Sequence, residues 1–263
     1  MERPLFMEEI GDDGVTHVAL TRPDKHNAVG PELIAELTAA FSGFAEDSRV
    51  RCLVLTGEGP SFCAGGDLGW MRQMSQADAE TNLEDAKALG GLLSTLDTLP
   101  IPTVALVHGA AIGAGFALCA CCDVVLADRT AQFALPETRL GLVPGVVAPF
   151  AIRALGERAA RRYSLTGEQF DAETATRLGL VHEVVHGGQL WDRGREVLDS
   201  LLKGAPGSQC ESKAQIQQLR GRLHMDAAVE DGAARIAKRR VSAEGQEGMA
   251  AFLDKRDPSW RPR

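Results

Sequence analysis

Short aliphatic and β-branched runs alternate with helical patterns in the first half of the chain, and this alternation restricts the possible folds most. An amphipathic pattern at 31–47 begins with a proline in its first turn, and 76–99 predicts a second long helix that ends at Pro100. Such an alternation builds a largely parallel sheet covered by helices. The sequence therefore predicts an α/β fold. The strand-like runs are VTHVALT (15–21), RCLVLTG (51–57), PTVALVHG (102–109) and DVVLAD (123–128).

Beyond about residue 145 the patterns are mostly helical, and glycine and proline interrupt them at KGAPGSQC (203–210). A chain of 263 residues is long enough to bury a core of its own without disulfides or metals. We therefore predict a core over residues 1–203 and a C-terminal helical module over residues 204–263.

The charge balance and hydropathy of the chain exclude several classes of partner. Lysine and arginine number 28 and aspartate and glutamate 36, which gives a net charge of −8. Nonspecific nucleic-acid binding needs a basic face, so we expect no nucleic acid as a partner. The opening MERPLFMEEIGDDG has no apolar signal core, and no apolar run reaches the ~20 residues that span a bilayer. We therefore expect a cytoplasmic protein with no membrane partner.

Three of the six cysteines lie in the short run CACC (119–122). Their spacing is too tight for the ligand pairs of a structural zinc site. Cysteine also packs as a small apolar residue. We therefore expect reduced, intracellular core cysteines and no metal site.

The stretch HGAAIGAGFALCACCD (108–123) follows a predicted strand and holds few side chains capable of chemistry. As a dinucleotide-binding turn it supplies Gly113 and Gly115, but Leu118 occupies the third glycine position and prevents close helix–strand packing. As a helix start, it leaves the N–H of Ala114 able to approach an anionic oxygen. Ordinary packing is the third interpretation.

A second corner, PSFCAGGDLGWM (60–71), has the same character. It also follows a predicted strand, and Ala64, Gly65 and Gly66 leave backbone amides uncovered before a predicted helix start. Two such corners at the ends of strands in one sheet can aim two N–H groups at one oxyanion, where each donor is worth about 3–4 kcal/mol of transition-state stabilisation. The pattern equally fits two ordinary tight turns, and the residues alone favour neither interpretation.

Six motifs follow one another along the chain: LTRPDKHNAV (20–29), SFCAGGDL (61–68), HGAAIGAGFALCACCD (108–123), FALPETRLGLVPG (133–145), LTGEQFDAETATRLGLVHEVV (165–185) and FLDKRDPSW (252–260). Together and in this order, they are similar to the motifs of the crotonase family, the enoyl-CoA hydratases and isomerases. The resemblance covers nearly the whole chain and implies a crotonase-type spiral of strand–strand–helix units. It also implies a C-terminal helical module that forms a homotrimer, with two trimers often stacked as a hexamer. The implied substrate is an acyl-CoA thioester, with coenzyme A as part of the substrate and no further cofactor or metal.

The resemblance assigns catalytic roles to three positions. The amides of Ala64 and Ala114 would form the oxyanion hole around the thioester oxygen. Hydratases of the family usually carry two glutamates, and Ala117 replaces the first of them here. The second is present as Glu137, and one carboxylate can still move protons if an apolar setting brings its pKa near the working pH. Without the resemblance, Glu137 fits an exposed first-turn carboxylate favoured by the helix dipole.

Two segments resemble one branch of the family in particular. DLGWM (67–71) and the run that begins GLVPGVVAPF (141–150) are similar to the hydratases of 3-methylglutaconyl-CoA and carboxygeranoyl-CoA, in leucine and acyclic terpene breakdown. Such substrates carry a distal carboxylate, for which Arg72 is the candidate cation. A solvated helix arginine is the alternative for Arg72.

The resemblance also implies how coenzyme A is bound. Backbone around KHNA (25–28) and the turn before the second predicted helix would line the pantetheine and adenine. Residues near the C-terminus would close the adenine–phosphate end, often from a neighbouring subunit. The expected binding residues are Lys25, Ala28, Gly65, Gly66, Asp67, Leu68, Arg72, Gly113, Phe252 and Lys255.

The function expected from the sequence is syn addition of water to a 2-enoyl-CoA, with Glu137 as the proton-transfer group. Isomerisation of a 3-enoyl-CoA to the 2-enoyl-CoA needs only one carboxylate and is the first alternative. Decarboxylation is a weaker one. A non-catalytic acyl-CoA-binding scaffold is the non-enzyme alternative, and Ala117 is the observation in its favour.

Overall fold

Nine β-strands form two sheets in the computed structural model, which describes residues 4–186, 188–220 and 225–261. In chain order, the strands of these residues are β1 (Phe6–Ile10), β2 (Val15–Leu20), β3 (Cys52–Gly57), β4 (Thr103–Val107), β5 (Ala110–Ile112), β6 (Val124–Asp128), β7 (Gln132–Ala134), β8 (Phe170–Asp171) and β9 (Glu183–Val185). The larger sheet has the order β1-β2-β3-β4-β6-β9 and is parallel except for β1, which pairs antiparallel with β2.

The α-helices of the described residues surround these sheets. They are α1 (Pro31–Glu46), α2 (Leu68–Met74), α3 (Ala79–Thr98), α4 (Ala114–Cys121), α5 (Ala148–Leu155), α6 (Glu157–Thr166), α7 (Ala172–Leu178), α8 (Leu190–Leu202), α9 (Pro206–Gln218), α10 (Met225–Val241) and α11 (Ala243–Leu253). The predicted helix at 76–99 begins later than expected, because the Asp78 side chain caps it by accepting from Thr81 N at 2.8 Å.

The larger sheet is covered on both faces, as its apolar strands predict. Alternate residues of β3 point to opposite faces. Leu53 and Leu55 pack in the main core with α1 and α3, whereas Cys52 and Val54 pack in a second core with Leu198 of α8. The α/β architecture predicted from the sequence is therefore confirmed, with parallel strands buried on both sides.

The smaller sheet holds the segments that carry the candidate site. Strand β5 follows β4 almost directly and pairs in parallel with β7, and β8 pairs antiparallel with β7. The chain leaves β5 into helix α4 and leaves β7 toward Glu137. Because the two strands are parallel neighbours, their carboxyl ends place these two segments side by side.

The C-terminal helices are fastened to the core by ion pairs and hydrogen bonds. Lys213 of α9 pairs with Asp123 at 2.6 Å, and Arg220 pairs with the buried Asp97 of α3 at 2.7 Å. Arg51, directly before β3, donates from Nη1 to the Trp260 carbonyl at 2.8 Å. The segment around Trp260 thus packs against the amino end of β3. The boundary between the predicted core and the predicted C-terminal module, at 203/204, stays a prediction.

Within the described ranges, no helix is long and apolar enough to cross a membrane. Over the same residues, no cluster of three or more His, Cys, Asp or Glu side chains is arranged to hold a metal ion. All six cysteines are free; four are buried, and burial raises the pKa of the Cys63 thiol to about 12. The cysteines therefore act mainly as apolar core residues here. The cytoplasmic location stays a prediction.

Candidate active site

Two glycine-rich corners meet where β3 and β4 end. Cys63, in the first corner, forms a parallel bridge with Ala111 of β5. Cys63 N donates to the Ala110 carbonyl at 2.9 Å, and Ile112 N donates to the Cys63 carbonyl at 3.0 Å. The two corners therefore lie against each other.

Glycine is required where the corners touch. A Cβ atom added to Gly115 would lie 2.1 Å from the Cys63 carbonyl oxygen, a distance that backbone packing does not allow. Gly65 has a φ of +103°, and a Cβ atom there would lie 3.1 Å from the Ile112 carbonyl oxygen. Small residues at these two positions therefore allow the backbones of the corners to come into contact.

The structure overturns the assignment of the Ala64 amide as an oxyanion donor. Ala64 N already donates to the His26 carbonyl at 2.9 Å. That carbonyl belongs to a turn in which His26 and Asn27 both have positive φ, +50° and +56°. Since the N–H is engaged by the protein's own backbone, the prediction for Ala64 is wrong.

The Gly66 amide is the free donor of this corner. Gly65 O accepts from Val29 N at 2.7 Å, and Asp67 N donates to the Val29 carbonyl at 2.8 Å. Because successive peptide groups of an extended segment point in opposite directions, the N–H of Gly66 points away from Val29. None of the described residues accepts a hydrogen bond from it.

The second corner offers the amide of Ala114, as the sequence predicts. Ala114 is the first residue of α4, so its N–H has no partner within the helix. Gly113 before it has a φ of +52° and donates its own N–H to the Ala134 carbonyl at 3.0 Å. All eight residues of α4 are buried, and the helix dipole favours negative charge at this end.

Gly66 and Ala114 hold equivalent places in the two corners. Gly66 lies three residues after Cys63, and Ala114 lies three residues after Ala111. Cys63 and Ala111 face each other in a parallel bridge, so the two segments run in the same direction. The two free amides are therefore neighbours across this junction.

Glu137 lies beside the second corner. It begins a 3-10 turn, Glu137–Leu140, after β7, and its Oε1 atom is 3.3 Å from where a Cβ atom on Gly113 would lie. Its Oε2 atom is buried and has no hydrogen-bond partner among the described residues. Burial raises the pKa of the Glu137 carboxyl above its ordinary value. The side chain is half-buried, so the alternative of a fully exposed first-turn carboxylate does not apply.

Ala117 lies one turn into α4 and is fully buried. Its amide donates to the Gly113 carbonyl at 3.0 Å, as the first intrahelical bond. Alanine has no carboxylate at this position, so Glu137 is the acid group placed against Gly113.

Asp67 holds the first corner in place from three sides. Its side chain caps α2 by accepting from Gly69 N at 2.8 Å and Trp70 N at 3.2 Å, and it pairs with Arg22 at 3.1 Å and Lys25 at 3.3 Å. Burial opposes ionisation of the Asp67 carboxyl, but the hydrogen bonds from Trp70 N and Lys25 hold its pKa below its ordinary value. Lys25 is thus placed next to the corner.

The other expected ligands of coenzyme A divide into two groups. Ala28 is buried in the turn beside Lys25, and Leu68, at the start of α2, is 79 % exposed. Arg72 is exposed on α2, and its guanidinium has no partner among the described residues. Phe252 and Lys255 lie at and just after the end of α11, a helix that packs against the Trp260 ring.

The sequence analysis missed Asn27, which joins the turn at 25–28 to the first corner. Its buried Nδ2 donates to the Ser61 carbonyl at 2.7 Å and the Glu58 carbonyl at 2.9 Å, and its Oδ1 accepts from Arg22 N at 2.9 Å. The sequence signal for this role is an asparagine at the end of a polar turn, RPDKHN (22–27).

Comparison with known proteins agrees with this geometry. Residues 11–263 match the family model described as enoyl-CoA hydratase/isomerase. The chain therefore belongs to the enoyl-CoA hydratase/isomerase family, and its structural relatives share the crotonase fold, as the sequence resemblance implies.

Three relatives illustrate the extent of the similarity. The crystal structure of an enoyl-CoA hydratase from Shewanella pealeana is 38% identical, with a TM-score of 0.94, and covers 98% of this chain and 96% of that one. Pseudomonas aeruginosa AtuE is also 38% identical with a TM-score of 0.94, over 98% of this chain and 100% of that one. The mevalonyl-coenzyme A hydratase sidH of Aspergillus fumigatus is 33% identical over 93% of this chain and 90% of that protein.

Proposed function

We propose that the protein adds water across the double bond of a 2-enoyl-CoA, with Glu137 as the proton-transfer group. One observation carries this proposal. A carboxylate with a buried, unpartnered oxygen and a raised pKa lies against Gly113, directly before the free amide of Ala114. Such a placement costs stability, and perturbed carboxyls of this kind are typical of general acid–base catalysts.

In the proposed reaction, the amides of Gly66 and Ala114 donate to the thioester oxygen. The Glu137 carboxylate takes a proton from water while the hydroxyl oxygen bonds to C3 of the acyl group. The C2–C3 π electrons move toward the carbonyl, and the resulting enolate oxygen is stabilised by the two amides and the α4 dipole. The same carboxyl then returns the proton to C2, so water is added overall and the enzyme is regenerated.

The variant Glu137→Gln tests this role, because it preserves size and removes the proton-transfer group. We expect kcat for enoyl-CoA hydration to fall by about 10²–10⁴-fold, with coenzyme A affinity changed by only a few-fold. Glu173→Gln is the matched control, since Glu173 is an exposed first-turn glutamate on α7. Normal turnover by Glu137→Gln would show that another group moves the proton.

Isomerisation of a 3-enoyl-CoA is the second candidate, and Ala117 is the observation that favours it. One carboxylate suffices to carry a proton between C4 and C2, whereas family hydratases usually use two. Incubation in deuterated water with a 2-enoyl-CoA and with a 3-enoyl-CoA distinguishes the reactions by product mass. Net addition of water supports hydration, and migration of the double bond alone supports isomerisation. Tight coenzyme A binding with neither product would support the scaffold.

We further infer that the natural acyl group is branched and carries a distal carboxylate, as in 3-methylglutaconyl-CoA. The exposed, unpartnered guanidinium of Arg72 lies on α2, which begins right after the Gly66 corner. The mevalonyl group in the name of the Aspergillus relative is also branched and has a polar end.

Replacing Arg72 by glutamine tests this substrate class. We expect kcat/KM to fall about tenfold or more for 3-methylglutaconyl-CoA, equivalent to roughly 1.4 kcal/mol or more, and to stay unchanged for 3-methylcrotonyl-CoA, which lacks the carboxylate. Arg158→Gln on α6 is the matched control, because Arg158 is also exposed and its guanidinium has no partner among the described residues. Equal losses on both substrates would contradict the assignment.

A homotrimer or a hexamer is the assembly that we propose. Phe252 is 83 % exposed and Leu253 76 %, which leaves an apolar surface at the end of α11 for a neighbouring subunit. Light scattering coupled to size-exclusion chromatography should give three or six times the chain mass of 28.1 kDa. A monomer at micromolar concentration would contradict this proposal.

A further inference from the structure

The indole of Trp70 connects helix α3 to the corner that carries Gly66. Its Nε1 atom donates to Asp85 Oδ1 of α3 at 2.8 Å, and its backbone N donates to Asp67 Oδ1 at 3.2 Å. The ring is half-buried and packs against the main core. Trp70 is therefore held at both its backbone and its ring.

The ring lies against Gly66 itself. A Cβ atom added to Gly66 would lie 3.4 Å from Cζ3 and 3.5 Å from Cε3 of Trp70, which is ordinary van der Waals contact. An oxygen that accepts from the Gly66 N–H therefore lies no farther than about 9 Å from the ring, from the lengths of the intervening bonds. The carbonyl carbon is at most about 1.2 Å farther from the ring than that oxygen, and each further acyl carbon adds at most about 1.5 Å.

The hydrogen bond between Trp70 and Asp85 helps to hold helix α2 against α3. Helix α2 has only seven residues, and none of them is buried. Its fixed points are the Asp67 cap at one end, the bond between Trp70 and Asp85, and the bond from Asn82 Nδ2 of α3 to the Met74 carbonyl at 3.0 Å at the other end. Asp85 is half-buried, and among the described residues Trp70 is its only hydrogen-bond partner. A hydrogen bond to an ionised acceptor is among the stronger ones, so it fixes the rotamer of the ring.

We propose that Trp70, held in place by Asp85, is the wall that sets acyl-group selectivity beside the thioester. The proposal rests on the proposed function, because it takes Gly66 as the amide that binds the thioester oxygen. A wall discriminates a methyl branch at C3 only if it cannot move aside, and one methyl group is then worth about 10–200-fold. Trp70 is thus a specificity-determining residue and Asp85 is its positioning residue.

Four variants separate the ring from its anchor. Trp70→Phe keeps an aromatic ring and removes the N–H, and Asp85→Leu removes the acceptor. Asp85→Asn keeps a carbonyl oxygen that can accept from the indole. Trp191→Phe is the matched control, because Trp191 packs against His17 on the α8 side of the sheet.

The measurement is the ratio of kcat/KM for 3-methylcrotonyl-CoA and crotonyl-CoA. We expect the wild-type ratio to differ from one by at least about tenfold. Trp70→Phe and Asp85→Leu should each bring the ratio at least about threefold closer to one, and the double variant should add little to either, since both remove one contact. Asp85→Asn and Trp191→Phe should keep the wild-type ratio. A wild-type ratio near one, or unchanged ratios in both of the first two variants, would overturn the proposal.

A second measurement distinguishes this proposal from the proposed reaction. The dissociation constants of butyryl-CoA and 3-methylbutyryl-CoA, which cannot be hydrated, are measured by calorimetry for the same variants. The proposal is supported, even if no enoyl-CoA is hydrated, if the wild type binds the two ligands with different dissociation constants and this difference becomes smaller in Trp70→Phe and Asp85→Leu. Hydration of enoyl-CoA by a protein that binds the two ligands equally well would support the proposed function and contradict the role of Trp70.

Discussion

Replacing Ala114 by proline should remove one proposed oxyanion donor while keeping helix α4. Proline is tolerated at the first position of a helix because the N–H there makes no intrahelical bond. Ala114 occupies this position, and the residue before it is Gly113, with a φ of +52° and a ψ of −109°. Glycine has no Cβ atom to clash with the Cδ of a following proline. The substitution therefore acts mainly on the free N–H.

The expected loss follows from the value of one oxyanion donor. Removing such a donor lowers kcat by about 10²–10³-fold, equivalent to roughly 3–4 kcal/mol of transition-state stabilisation. Free energies of unfolding should change much less, because no internal hydrogen bond is lost. Loss of the ultraviolet absorbance of the conjugated enoyl thioester measures turnover, and urea unfolding measures stability.

Ala79→Pro is the matched control for this experiment. Ala79 is the first residue of α3, and Asp78 before it has φ −72° and ψ 173°, a conformation that suits a following proline. This variant should keep wild-type turnover. If Ala114→Pro unfolds like the wild type but retains turnover within about threefold, the amide of Ala114 is not an oxyanion donor.

The remaining predictions concern Glu137 and the two corners. Because catalysis needs the ionised carboxylate, kcat/KM should fall as the pH drops through the raised pKa of Glu137, and the pH–rate profile of Glu137→Gln should lack this limb. The pKa of Glu137 is higher in the folded than in the unfolded state, so the ionised carboxylate lowers the free energy of unfolding. Glu137→Gln should therefore resist urea better than the wild type at neutral pH. This difference should vanish in acid, below both pKa values. Gly115→Ala places a methyl group against the Cys63 carbonyl and should destabilise the fold by about 2 kcal/mol or more in urea unfolding, whereas Gly91→Ala, with open space on α3, should be neutral or slightly stabilising. Asp67→Ala should cost about 0.5–2 kcal/mol of stability through loss of the α2 cap.

Local patterns were sufficient to predict the central strands and the main helices. The run at 51–57 is almost wholly apolar because β3 is buried on both faces, and the proline at 31 marks the start of α1. The short strands β5, β7 and β8 were not predicted. They have two or three residues each, so their pairing with one another, and not their own sequence, determines their structure.

The choice between Ala64 and Gly66 shows why the site was only partly predictable. Three small residues in succession identify a corner with exposed amides, but consecutive N–H groups point in opposite directions. Which of them is free depends on hydrogen bonds to His26 and Val29, which lie more than thirty residues earlier in the chain. Ala114 was predictable because the first N–H of an α-helix has no acceptor within the helix.

The raised pKa of Glu137 also depends on distant residues. Its carboxyl is next to Gly113 because β7 pairs in parallel with β5, and no local pattern encodes that pairing. The contact of Trp70 with Gly66 is local, but its anchor Asp85 lies on another helix. Sequence therefore identified most chemical groups of the site, whereas their mutual placement came from tertiary contacts.

A crystal structure of the protein with butyryl-CoA tests the central claim most directly. The account predicts that the thioester oxygen lies about 2.7–3.1 Å from the amide nitrogens of both Gly66 and Ala114, with the Glu137 carboxylate next to C2 and C3 of the acyl group. An oxygen bound by only one of these amides, or an acyl chain directed away from Glu137, would contradict it.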